Sequence, residues 1–125
     1  MASKKMKNYK ELHIWTKGIE IVKLTYKISE TISSNEKFGL ISQMTRAAVS
    51  IPSNVAEGNS RKSDKDKARF IEIALGSAFE LQTHLVVIQE IYNAKTMELK
   101  ELNQVLEEEI KMLHTFYKTL TVANS

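Results

Sequence analysis

Apolar residues recur three and four positions apart along nearly all of this chain, the period of an amphipathic helix, and polar clusters interrupt the pattern at three places. The first segment, residues 9–33, carries two stripes. Leu12, Trp15, Ile19, Val22 and Tyr26 form one; Ile14, Ile21, Leu24, Ile28 and Ile32 form the other. Two apolar faces on one helix imply more than one buried contact. The first is expected to close an intramolecular core and the second to meet another subunit; a single wide stripe in a small monomer is the competing reading.

Ser33-Ser34-Asn35 then breaks the pattern and offers N-cap side chains. In the second segment, 36–58, Ile41, Met44, Ala48, Ile51 and Val55 keep the helical period on both sides of Pro52, which predicts one kinked helix rather than two elements. Gly58 is placed to end it in the left-handed conformation. After the loop at residues 59–62, Ser63 caps a third segment, 63–93, with Asp64 and Asp66 in its first turn. Phe70, Ala74, Ala78, Leu81, Leu85, Ile88 and Tyr92 line one face, and Ile71, Leu75, Phe79, Val86 and Val87 widen it. A helix so apolar around its circumference is central or interfacial. Residues 93–96 form the last turn with Thr96 as cap. The fourth segment, 96–121, repeats Leu99, Leu102, Leu106, Ile110, Leu113, Tyr117 and Leu120, with Glu101, Glu107 and Glu108 outside. Four helices with short loops predict an all-α, up-and-down antiparallel four-helix bundle, with disordered tails at 1–8 and 122–125.

Composition narrows the picture. A chain of 125 residues holds one domain, and four Gly with one Pro are too few for an all-β fold. The absence of cysteine excludes a disulfide scaffold and a thiolate zinc site, and fits a cytoplasmic location. No segment is expected to span a membrane, and the basic start lacks the apolar stretch of a secretory signal. Net charge is +3, unevenly spread: residues 1–70 hold 14 Lys/Arg against 7 Asp/Glu, residues 71–125 hold 4 against 8. A basic first half suits nucleic acid, or acidic helices of the same chain.

Catalytic chemistry is hard to find. A di-iron bundle needs Glu-x-x-His pairs, and none precedes His13, His84 or His114. Glu80 and His84 lie one turn apart, a spacing that favours a helix-stabilising pair over metal ligation. There is no cysteine nucleophile and no glycine-rich phosphate loop. The expectation is a protein that is not an enzyme and uses no cofactor or metal.

Two constellations remain. Gln43, Arg46, Ser50, Asn54 and Glu57 share one face of the second helix. With Glu80 they read as a polar network that fixes helix register and subunit contacts, Arg46 meeting Glu57 or Glu80; a ligand or RNA contact through Arg46 and Asn54 is the functional alternative. Arg61, Lys62, Lys65, Lys67 and Arg69 form a basic loop and helix start, diluted by Asp64 and Asp66 and extendable by Lys4, Lys5, Lys7 and Lys10. Few aromatics accompany them, so the expected nucleic-acid contact is to phosphates rather than stacked bases.

The run from Phe38 to Gly58 breaks local rules. Pro52 inside a helix costs roughly 3 kcal/mol, and Glu57 faces the negative end of the helix dipole. The pattern Phe-Gly-Leu-x-x-Gln-x-x-Arg-Ala-x-x-Ser-Ile-Pro-Ser-Asn-Val-Ala-Glu-Gly resembles the signature of the four-helix-bundle proteins encoded in intervening sequences of bacterial 23S ribosomal RNA genes. Leu12-x-x-Trp15, Phe70, Ala74-x-Gly76-Ser77 and Glu80-Leu81 fit the same family. The resemblance implies a bundle that assembles into a ring, with a homopentamer the expected form. A related branch, the accessory variability determinant proteins of diversity-generating retroelements, implies basic surfaces that bind nucleic acid and a reverse transcriptase. The resulting expectation is an oligomer associated with RNA or DNA. A protein-interaction scaffold or accessory subunit without a nucleic-acid role is the alternative.

Overall fold

The computed structural model describes residues 8–93 and 96–122. Among them are four helices and no strand: α1 (His13–Ser29), α2 (Ser42–Asn59), α3 (Asp64–Tyr92) and α4 (Met97–Val122). Neighbours run antiparallel. Going up α3, Glu72 meets Tyr117 and Phe79 meets His114, so α4 runs down. Gly58 lies against Phe70 and Ser50 against Ser77, which sets α2 and α3 opposed. Contact between α1 and α4, tied by Lys17 and Glu108 at 3.2 Å, closes the four helices into an up-and-down bundle.

Local hydrogen bonds trim the elements that the apolar period foretells. The Asn8 side chain accepts from the Lys10 amide at 3.0 Å and holds residues 9–11 in a separate 3₁₀ turn; Leu12 is extended, and α1 starts only at His13. Asn8 is therefore part of an ordered cap rather than of a tail, and Val122 belongs to α4; the rest of both expected tails, with Ala94 and Lys95 of the last turn, lies outside the described residues. At the other end of α1, Ser29 Oγ donates to Tyr26 O and Thr31 Oγ1 to Ile28 O, each at 2.7 Å, so hydroxyls satisfy the last carbonyls and the helix stops before Ile32. A 3₁₀ turn (Ser34–Glu36) and a π-helical turn (Lys37–Ile41) lead into α2. Tyr92 Oη donates to Glu36 Oε2 at 2.8 Å, fastening that lead-in to the end of α3. Ser63 and Thr96 cap α3 and α4 as expected, accepting from the amides of Asp66 and Leu99. Asn93 ends α3 in the left-handed conformation, φ 51°.

The core is built from Ile21, Met44, Ile51, Leu81, Leu85, Leu102, Leu106 and Leu113, all fully buried, each contributing roughly 1.5–3 kcal/mol. Two expectations need correction. In α1 the stripe Ile14, Ile21, Leu24 and Ile28 is the buried one, while Leu12, Trp15, Ile19 and Val22 are half-buried and Tyr26 is exposed. The reason is Gly18, which shares the Ile14–Ile21 face and lets that side of α1 press against Pro52. Gly58, moreover, is not left-handed; no glycine among the described residues has positive φ. It lies inside α2, where a Cβ would meet Phe70 Cβ at 3.0 Å and the Lys67 carbonyl at 3.3 Å. Close approach of α3, not turn geometry, requires glycine there. Helix α2 itself continues through Pro52 without an end.

The most apolar 18 residues of α3 have a mean hydropathy of 1.3, enough by length and composition alone for a membrane span, contrary to the expectation that no segment qualifies. In the bundle 39% of that stretch is buried.

Candidate nucleic-acid interface

The turn between α2 and α3 collects the basic residues at one end of the bundle. The Arg61 and Arg69 guanidinium carbons lie 4.7 Å and 5.2 Å from the centre of the Phe70 ring, so one half-buried aromatic orients two cations. Arg61 also donates to Glu57 Oε2 at 3.0 Å, which partly neutralises it. Lys67 is turned inward, its Nζ donating to the Asn59 carbonyl at 3.5 Å. Lys62, Lys65 and Arg69 stay exposed, and none of the three takes part in an ion pair among the described residues. The five predicted residues thus come together: Lys62 and Lys65 face solvent, Arg69 is exposed but rests on the Phe70 ring, and Arg61 and Lys67 bond to other groups of the protein. Leu12 lines the same small gap as Gly58, Asn59 and Lys67, so the start of α1, with exposed Lys10, sits at this end too. Lys4, Lys5 and Lys7 lie outside the described residues. Lys65 and Arg69, with Asp66 and Glu72 of the same helix, further line a groove of about 500 Å³ between α3 and the end of α4, where Tyr117 lies opposite; the Glu72 charge raises the pKa of the Tyr117 hydroxyl.

The polar stripe of α2 divides into a bonded centre, a Glu57 end held by Arg61 and an exposed end at Gln43 and Arg46. Ser50 Oγ and Ser77 Oγ are 2.7 Å apart, and Asn54 Nδ2 donates to Ser50 Oγ at 2.9 Å and to the Ser50 carbonyl at 2.8 Å. These half-buried groups lock the register of α2 on α3. The expected pairing of Arg46 with Glu57 or Glu80 does not form within the subunit. Both carboxylates are held by a residue one turn on, Glu57 by Arg61 and Glu80 by His84 at 3.3 Å, which is the cheaper arrangement for side chains on one helix face. Gln43 and Arg46 are exposed. Among the described residues no group of three or more His, Cys, Asp or Glu is placed to hold a metal ion.

Residues 10–115 match the family model described as 23S rRNA-intervening sequence protein. The chain belongs to that family. A solved structure with the same fold, from the S23 ribosomal protein family of Bacteroides thetaiotaomicron and titled a protein with unknown function, superposes with a TM-score of 0.76 at 21% identity, covering 84% of this chain and 98% of the other. A comparison with curated proteins finds no match.

This 23S rRNA-intervening sequence protein also holds a residue that neither constellation includes. Glu109 is 0% exposed, and among the described residues neither carboxyl oxygen has a hydrogen-bond partner. Burial raises its pKa to about 8, the Lys17 charge acting weakly in the opposite direction. A signal existed in the sequence: Leu99, Leu102, Leu106, Glu109 and Leu113 step by three and four, placing Glu109 on the buried stripe.

Proposed function

We propose that this protein is a non-catalytic, self-associating bundle that binds the phosphate backbone of structured RNA at the α2–α3 turn. The observation that carries the reading is the exposed trio Lys62, Lys65 and Arg69, joined by Arg61 around the Phe70 ring, at the positive end of α3. With so few phosphates neutralised by one copy, affinity depends on repetition across copies. The surface of α3 supports association: Ile73, Phe79, Val86 and Ile91 are 46, 46, 52 and 64% exposed. Between Ile73 and Phe79 lies Gly76, where an added Cβ would meet nothing within 4 Å. Apolar residues exposed in this number on one helix mark a protein contact, and a ring of five copies is the form the family resemblance implies.

In an electrophoretic shift assay at low salt, micromolar protein is expected to retard a structured RNA. The double charge reversal Lys62→Glu, Lys65→Glu should weaken binding by at least about tenfold and flatten its salt dependence by about one unit per lost phosphate contact. No retardation at any salt removes the reading. Light scattering on a sizing column should give a mass several times 14.3 kDa; a clean monomer at high concentration contradicts self-association. The exposed apolar face of α3 also favours a second reading, an accessory subunit that touches no nucleic acid. A protein partner retained after nuclease treatment, with no RNA shift, selects that reading.

A further inference from the structure

Three helices meet at one point of the interior. A Cβ built on Gly18 of α1 would stand 3.2 Å from Pro52 Cβ and 3.3 Å from Pro52 Cδ of α2, and 3.4 Å from Glu109 Oε2 of α4. Proline has no N–H, so the carbonyl of Ala48, one turn earlier and itself 0% exposed, lacks its helical donor. Among the described residues neither oxygen of the Glu109 carboxyl has a hydrogen-bond partner, so an unpaired buried carboxyl sits at the three-helix contact. A protonated carboxyl can donate; an ionised one can only accept.

The charges around it are few. From α1 comes Lys17, at the edge, its Nζ held by Glu108 Oε1 at 3.2 Å. From α2 the buried residues are Met44, Ala47, Ala48, Ile51, Pro52, Val55 and Gly58, and the buried face of α3 is likewise free of ionisable groups. On α4 itself Glu108 adds a like charge. Among the described residues no cation lies within the core to meet an ionised Glu109.

We propose that Glu109 is a proton-operated latch: as a neutral acid it stays buried and lets α4 pack against the Gly18–Pro52 contact, and on losing its proton it turns outward to Lys17 and loosens the seam between α1 and α4. The folded-state pKa lies above the ordinary 4.5. The stabilisation is therefore complete below about pH 4.5 and is lost as pH rises to about 8, where the folded protein itself gives up the proton. The latch is independent of the RNA reading.

Carbon-13 NMR of the full chain labelled at glutamate carboxyls, with amide hydrogen exchange at pH 6 and pH 9, tests it. One carboxyl is expected to titrate near pH 8 and to vanish from the spectrum of Glu109→Gln, whose amide imitates the neutral acid. Protection factors around Gly18 and Glu109 should fall at least about tenfold between the two pH values in the wild type and stay level in Glu109→Gln. Titration of every glutamate near pH 4.5, or a variant that follows the wild-type pH dependence, overturns the proposal. The wild-type titration decides the matter even if the variant does not fold.

Discussion

Gly18→Leu is expected to abolish the closed bundle. The first atom of any side chain at this position would already stand 3.2–3.4 Å from Pro52 and Glu109, tighter than ordinary van der Waals contact. Leucine adds three more carbons along a line where α1 and α2 leave no room. The helices must separate, and overpacking of this kind costs about 3 kcal/mol or more, a large share of the roughly 5–15 kcal/mol that holds a domain together. Gly18→Ala is the calibrating variant. Its Cβ needs a shift of only a few tenths of an ångström, and the helix propensity gained, about 1 kcal/mol, offsets that strain. Urea midpoints should place alanine within about 1 kcal/mol of the wild type and leucine unfolded or far below it. A leucine variant as stable as the wild type would mean that α1 does not press on Pro52.

Glu109→Leu works in the opposite direction, and only when the pH is high. In the wild type the unfolded chain releases the Glu109 proton near its ordinary pKa of 4.5, whereas the folded chain keeps it to about 8. Unfolding is therefore favoured increasingly over that interval, by about 1.4 kcal/mol per pH unit. At pH 9 leucine removes the whole penalty, and the variant should be more stable by on the order of 3–5 kcal/mol. At pH 4 the carboxyl is largely neutral in both states, so the charge penalty that leucine removes is absent and the advantage disappears. Urea titrations at the two pH values separate these cases. A gain that does not change with pH, or none at pH 9, would count against a buried acid.

Periodicity made most of this architecture readable, because helices that bury one face must repeat at three and four. Met44, Ala48, Ile51 and Val55 could be picked as core from spacing alone, and all are buried. The same signal could not choose between the two stripes of α1. Both have helical spacing, and the choice was made by Gly18, whose role depends on a proline 34 positions away. Nor does spacing see side chains that compete for backbone groups. Asn8, Ser29 and Thr31 shorten α1 through local hydrogen bonds that leave the apolar pattern untouched. Glu109 escaped notice because it closes the run Glu107-Glu108-Glu109, where solvated charge is the ordinary outcome.

At the candidate interface the basic residues were legible because they are neighbours in sequence. Their division into free and engaged groups was not. It follows from where Phe70, Glu57 and the Asn59 carbonyl fall once α3 folds back along α2. The Ser50–Ser77 bond lies across the same helix pair and was equally out of reach of a one-helix pattern.

Gly76 weakens α3 by about 1 kcal/mol relative to alanine, yet a methyl group there would touch nothing in the subunit. The missing side chain leaves a shallow notch of naked backbone on the outer wall of the longest helix, where a second polypeptide can lie against main-chain atoms rather than above a layer of side chains. Under the self-association proposed above, the vacancy is shape held in reserve for company.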